Sequence, residues 1–199
     1  DLKLFKISST DNNFYYFINK VLKEKNLTFI SLGLCSNKEI DKLVKHIMRV
    51  DKNCHKYVSL LHCNSSYPLK NSEANLSQIQ FLKKKYPKFT IGYSDHTIGT
   101  DASICAISLG AKVLEKHFTL NKKTKGNDHY HSMDFKDLKK LKKKIIKANE
   151  IIGMNEKKNL KIESNSRKFA RRSIVIKFDM KKNSIIKKGN IICKRPGTG

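Results

Sequence analysis

Gly92-Tyr93-Ser94-Asp95-His96-Thr97 and Val113-Leu114-Glu115-Lys116-His117-Phe118-Thr119 are two versions of one pattern, a short apolar run closing on a histidine. Each run reads as a β-strand, and Ala102 to Leu109 between them reads as a helix. Strand, helix and strand in that order make a parallel βαβ unit, whose strand C-termini emerge side by side about 4.8 Å apart. Two imidazoles then stand at one edge of a sheet, where they can share a metal ion or an anion. Strand parity puts Ser94 on the face of His96, and Val113 and Glu115 on the face of His117.

The same alternation extends outward in both directions. Leu4 to Ile7 reads as a strand, Asn13 to Lys25 as a helix, and Thr28 to Leu32 as a strand ended by Gly33. Ser36 followed by Glu39 predicts a capping box opening the next helix. Tyr57 to Cys63 is the third strand, Ser72 to Lys85 a helix, Phe89 to Tyr93 the fourth strand and Lys112 to Lys116 the fifth. A basic helix over Asp134 to Ile152, with Ser132 and Asp134 as candidate caps, stops at Gly153. Near-continuous apolar strands separated by helices predict an α/β fold with a parallel sheet. The pattern fits an open sheet or the second half of a (β/α)8 barrel, since a closed barrel takes about 250 residues. Beyond Gly153, Asn155 to Lys168 is polar and reads as a linker. Ser173 to Lys177 and Ile185 to Cys193 read as the beginning of a small β unit.

Composition narrows the function classes. The chain of 199 residues carries 42 Lys and Arg against 17 Asp and Glu, a formal charge of +25. Lys supplies nearly all of it, spread along helices such as 136–147, while Arg is sparse and Trp absent. Nucleic-acid readers favour Arg interleaved with aromatics, so no nucleic-acid partner is expected; the field suits gathering an anionic substrate. The five cysteines are scattered and never spaced as CxxC, which reads as reduced thiols of a cytoplasmic protein, with Cys63 and Cys105 filling the core. No apolar run approaches the roughly 18 residues that span a bilayer, and the N-terminus lacks the order of a signal peptide, so no membrane association is expected. The chain does not start with Met and reads as an excerpt of a longer protein.

Polar residues at the C-terminal rim of parallel strands are where α/β folds build ligand sites. Neutral His96 and His117 suit a divalent transition metal whose remaining positions are left to water, carboxylate or substrate oxygen. Lys6, Ser9 and Asp11 follow the first strand, and an ammonium beside a hydroxyl suits phosphate or carboxylate. Tyr67, before Pro68, presents a phenol at the same rim. Asp128, in Gly126-Asn127-Asp128-His129-Tyr130-His131-Ser132, is a candidate acceptor for a sugar hydroxyl or for the metal shell. His129 and His131 read as exposed loop histidines and are set outside the metal's immediate ligands.

Taken together and in order, these segments resemble the sialic acid synthase family. The matching runs include Lys6-Ile7-Ser8-Ser9, Leu60-Leu61-His62-Cys63-Asn64-Ser65-Ser66-Tyr67-Pro68, and the two histidine blocks. Gly126-Asn127-Asp128-His129 with Ser132, Arg171-Arg172-Ser173 and Lys194-Arg195-Pro196-Gly197-Thr198-Gly199 complete the set. The resemblance implies a (β/α)8 TIM-type barrel, of which 1–153 would be the C-terminal five units. Residues 154–172 would be a linker and 173–199 the truncated start of an antifreeze-like β-clip domain. It implies condensation of phosphoenolpyruvate with N-acetylmannosamine or a related 2-acetamido sugar, releasing phosphate.

The site residues follow from the same resemblance. His96 and His117 would hold a divalent metal, usually Mn2+, with Mg2+ or Co2+ as alternatives. Lys6, Ser9 and Ser94 would contact phosphoenolpyruvate, and Ser65 would be a further substrate-binding residue. Tyr67 and Asp128 would contact the sugar or the metal-bound shell, with Asp11, Tyr67 and Asp128 as the catalytic set. Arg195 would reach the partner's site in a homodimer.

Departures from the family pattern bear on these roles. Ser65 stands where the family often has Asn, Asp11 where it has Glu, Asn127 where it has Pro, and Ser31-Leu32-Gly33-Leu34 replaces the usual STGM block. The family's first three strands are not in this sequence, so these 199 residues alone are not expected to turn over substrate. Legionaminic or pseudaminic acid synthesis, and an inactive remnant serving only in association, are the alternatives.

Overall fold

The computed structural model describes residues 3–126, 128–153, 156 and 161–196. Asn127, the last three residues of the Lys194 to Gly199 motif and part of the expected linker lie outside them. The chain divides into Asp1–Gly153 and Met154–Gly199.

In the first unit, strands β1 (Leu4–Ile7), β2 (Leu27–Ser31), β3 (Val58–Cys63), β4 (Thr90–Asp95) and β5 (Leu114–Lys116) alternate with helices α1 (Tyr15–Lys23), α2 (Asn37–Val50), α3 (Ser77–Lys85) and α4 (Asp101–Ser108), and α5 (Phe135–Ile152) follows. All four strand pairings are parallel, and the spatial order β1-β2-β3-β4-β5 repeats the chain order. A doubly wound open sheet reverses order at a switch point; sequential order with every helix following its strand is the arrangement of a barrel wall. The curl is direct. Lys6 on β1 and Glu115 on β5 occupy opposite edge strands, about 19 Å apart in a flat sheet, yet Lys6 Nζ lies 3.4 Å from Glu115 Oε2. The sheet therefore wraps around an interior that these two side chains span.

Local chemistry explains the elements. Ser36 and Glu39 form the expected capping box at the start of α2, which buries Ile40, Leu43, Val44 and Ile47 along one stripe. β3 is buried at every residue, as a central parallel strand must be. Gly92 lets β4 lie close to its neighbours, because a Cβ there would sit 2.4 Å from Leu61 Cδ2 and 2.7 Å from the Val113 carbonyl oxygen. The core gathers Ile7, Ile30, Leu60, Ile91 and Tyr93 from the strands against Ile18, Leu22, Ile47, Ile79 and Leu82 from the helices.

Some expectations change. The helix expected from Ser72 is split into a short 3-10 turn, Asn71–Glu73, and α3, because Asn75 takes a left-handed conformation at φ 46° that an α-helix cannot contain. Cys63 is buried, but Cys105 is exposed, on the outer side of α4. Asp134, with Asp137, forms the capping box of α5, while Ser132 is used elsewhere.

In the second unit, part of the stretch read as linker is helical, α6 (Ser164–Ala170). Strands β6 (Ser173–Ile176) and β7 (Ile191–Lys194) then pair antiparallel, with Ile174 opposite Cys193. No helix among the described residues is long and apolar enough to cross a membrane.

Candidate active site

The rim at the C-terminal ends of the strands is fixed from behind by a buried ion pair. Asp95 and Lys116 are register partners on β4 and β5, and both point away from the interior. They form an ion pair at 2.9 Å with side chains 0% and 4% exposed. Asp95 also accepts from Ser103 Oγ at 2.5 Å and from the amide and hydroxyl of Thr97, each at 2.8 Å. Alternation along the strands then turns their successors, His96 and His117, inward.

The two histidine rings lie with centroids 5.4 Å apart. His96 is buried, and its Nδ1 is 2.9 Å from the Asn64 carbonyl oxygen. A carbonyl can only accept, so Nδ1 carries the proton and Nε2 keeps its lone pair for a ligand. Burial alone would lower this imidazole's pKa, but the Cys63 thiol, 3.9 Å away, and the Asn64 carbonyl outweigh it and raise it. His117 goes the other way: burial lowers it, the carboxylate of Asp128 opposing and the neighbouring His96 and His131 reinforcing. Burial likewise pushes the Cys63 thiol up, yet hydrogen bonds from His96, Ser9 and Ser94 leave it lowered on balance.

Tyr67 stands over the pair, its ring 4.1 Å from His96 and 5.5 Å from His117. The Tyr67–Pro68 bond is cis. The loop is pinned to the rim by the Leu69 amide, which donates to the His96 carbonyl at 2.9 Å. Asp128 lies 3.6 Å from His117 Nδ1.

Deeper in the rim, Ser9, Ser65 and Ser94 surround Cys63. Ser9 Oγ donates to its sulfur at 3.5 Å, and Ser94 is its register partner on β4. A Cβ on Gly33 would stand 2.5 Å from both Ser9 Oγ and Ser65 Oγ. The glycine thus keeps clear a small cradle flanked by two hydroxyls. Asn12 holds the cradle's floor, its amide donating to the carbonyls of Ser31 at 3.1 Å and Gly33 at 2.9 Å.

The fold therefore assembles His96, His117, Tyr67, Asp128, Ser9, Ser65, Ser94 and Lys6 around one rim and interior. Asp11 is engaged locally, its carboxylate accepting from Ser8 Oγ at 2.5 Å. Arg195 belongs to the second unit, where it is exposed next to Pro196. Glu115 and Asn12 escaped the sequence reading as site members, and His131, set aside there as an exposed loop histidine, is buried. Glu115 shares the face of His117 by strand parity and was discoverable that way. Asn12 and His131 sit in loops, where no periodicity marks them.

The donor set fits a divalent ion of borderline softness: imidazoles with a carboxylate beside them. His117, Asp128 and His131 each offer a ligand atom, all within 4.8 Å of one another. The hydroxyl cradle and the Lys6 ammonium fit an anion carrying phosphate and carboxylate.

Comparison with known proteins agrees with this architecture. Residues 1–157 match the NeuB family. Over 198 residues the chain is 36% identical to an N,N'-diacetyllegionaminic acid synthase of Campylobacter jejuni, all of this chain aligning with 59% of that protein. It is 32% identical over 186 residues to the human N-acetylneuraminate-9-phosphate synthase, matching 94% of this chain and 51% of the relative. The N-acetylneuraminic acid synthetase of Leptospira borgpetersenii superposes on 83% of this chain, and 56% of its own, with a TM-score of 0.77 at 33% identity. The chain thus spans a little over half the length of the relatives it matches.

Proposed function

The chain belongs to the NeuB family of sialic, legionaminic and pseudaminic acid synthases, and we propose that it carries the metal- and phosphoenolpyruvate-binding part of such a synthase. The reaction is condensation of phosphoenolpyruvate with N-acetylmannosamine or a related 2-acetamido sugar, releasing inorganic phosphate. The observation that carries the proposal is the placement of the His96 and His117 pair, 5.4 Å apart, at the rim that also holds the Gly33 cradle.

His96 and His117 would hold the metal, Mn2+ in the first instance, with Mg2+ and Co2+ as alternatives. When bound, it supplies Lewis acidity toward the open-chain aldehyde of the sugar. Lys6 and the hydroxyls of Ser9, Ser65 and Ser94 take the phosphate and carboxylate of phosphoenolpyruvate. Its C3 is thereby presented to the aldehyde carbon, and much of the barrier is met by positioning. Carbon–carbon bond formation leaves C2 electron-poor; water adds there and phosphate departs with cleavage of its C–O bond. Tyr67 and Asp128 line the side of the sugar and of the metal-bound shell, and Glu115, 3.4 Å from Lys6, orients that ammonium. Asp11 is one methylene shorter than a glutamate, and its carboxylate accepts from Ser8 Oγ.

The second unit is read as the beginning of an antifreeze-like domain. Its Arg195 would serve the active site of the partner in a homodimer, and the protein would work in the cytoplasm. The legionaminic and pseudaminic precursors are related 2-acetamido sugars, so each is a candidate acceptor.

The test is phosphate release from phosphoenolpyruvate by the protein carrying this chain, supplied with Mn2+ and each 2-acetamido sugar in turn. Release with one sugar supports the proposal and names the acceptor. No release with any, from folded and metal-loaded protein, overturns it.

A further inference from the structure

We propose that His131 is an additional imidazole ligand of the metal site, joining His117 and Asp128. The inference rests on the metal reading above and adds a ligand that the family resemblance does not imply.

Loop chemistry brings His131 there. The Met133 amide donates to the His117 carbonyl at 2.9 Å, and the Thr119 amide donates to the Met133 carbonyl at 2.8 Å. The returning loop is thus stitched to the segment following β5. Ser132 closes a turn onto Asp128, its Oγ and amide donating to the Asp128 carbonyl at 2.6 and 3.2 Å. That turn puts Asp128 and His131 on one side: His131 Nε2 is 3.9 Å from Asp128 Oδ1, and the ring centroids of His131 and His117 are 5.5 Å apart.

The environment of His131 is that of a ligand rather than of a loop side chain. It is 4% exposed, and neither ring nitrogen has a hydrogen-bond partner. His129, two residues earlier, is satisfied by the Thr119 hydroxyl at 2.7 Å. A buried polar group without a partner costs about 1–3 kcal/mol, and coordination removes that cost. Metal–nitrogen and metal–oxygen bonds of about 2.0–2.2 Å allow two ligands on opposite sides of one ion to stand up to roughly 4.4 Å apart. Ligand atoms already within 4.8 Å of one another therefore close on an ion by small rotations. An added imidazole shifts the preference toward Co2+ and Zn2+ and away from the oxygen-loving Mn2+ and Mg2+.

Co2+ binding followed by visible absorption, and Zn2+ and Mn2+ binding by calorimetry, test the assignment on the full chain and on His131→Phe and His131→Asn. The expected result is at least about tenfold weaker Co2+ and Zn2+ binding in both variants, with changed cobalt band intensity, since loss of even a supporting group costs 10–100-fold. Unchanged affinity and spectrum in both overturn the role of His131 and leave the His96 and His117 reading intact. No binding of any of the three ions by the unmodified chain overturns both. A readout independent of the variants' folding is the side-chain 1H–15N spectrum of the unmodified chain with Zn2+. A coordination shift at a His131 ring nitrogen supports the assignment, and its absence overturns it.

Discussion

Asp95 and Lys116, each the residue immediately before a site histidine, form a buried ion pair at 2.9 Å that ties β4 to β5. The carboxylate is saturated by Ser103 and Thr97, and Lys116 Nζ donates to the Thr97 carbonyl at 2.5 Å. A charge pair this dry contributes little net stability over an apolar pair, but removing one partner leaves an uncompensated charge. Its service is geometric. With the two outward residues locked, the next residue on each strand is aimed inward at a fixed separation.

Asp95→Ala therefore destabilises the chain by about 3–5 kcal/mol, read from urea unfolding. A loss under 1 kcal/mol would show that the lock is dispensable.

Gly33→Ala places a methyl 2.5 Å from the Ser9 and Ser65 hydroxyls, inside the cradle. Phosphoenolpyruvate binding, measured by calorimetry, falls by more than about tenfold, the equivalent of one lost hydrogen bond to a charged group. Metal binding, proposed at His96 and His117, is retained.

His96→Ala and His117→Ala each abolish metal-dependent turnover in the protein carrying this chain, and chelation of the unmodified protein does the same reversibly. Full activity and full metal content in either variant would remove the metal reading. Metal analysis beside the phosphate-release assay distinguishes lost binding from lost chemistry.

Far from the site, the Asp41 carboxyl is bound by Lys85 at 2.6 Å and by the Tyr86 hydroxyl, which hold its pKa below the usual carboxylate value. A depressed folded-state pKa contributes stability that is complete above the unfolded value, near pH 4. It is lost as pH falls through the folded one. The urea midpoint of Asp41→Asn should thus lie below that of the unmodified chain at pH 7, with the gap closing as pH falls below the unfolded value and through the depressed folded one. A pH-independent gap would show that hydrogen-bond geometry, not charge, is what Asp41 supplies.

How much of this was legible beforehand differs by element. The Ser36–Glu39 box, the apolar strands and the two histidines at strand ends are local signals, and all stand in the structure. Cys105 misled because an apolar neighbourhood in sequence says nothing of which side of α4 faces out. The broken start of α3 escaped notice because Asn75 is not a glycine, although Asn is among the residues that tolerate the left-handed region.

By itself the sequence determined the alternation of strands and helices and the placing of His96 and His117 at strand ends. Both depend on periodicities of two and 3.6 residues and on turn chemistry, which act over a few neighbouring positions. Only the tertiary structure decided which rim groups meet. Lys6 reaches Glu115 because the sheet curls, His131 approaches His117 because its loop is stitched back onto β5, and Asn12 rather than Asp11 supports the Gly33 cradle. These meetings join residues distant in the chain or set by an irregular loop, and curl and loop return are properties of the whole sheet's packing that no local pattern carries.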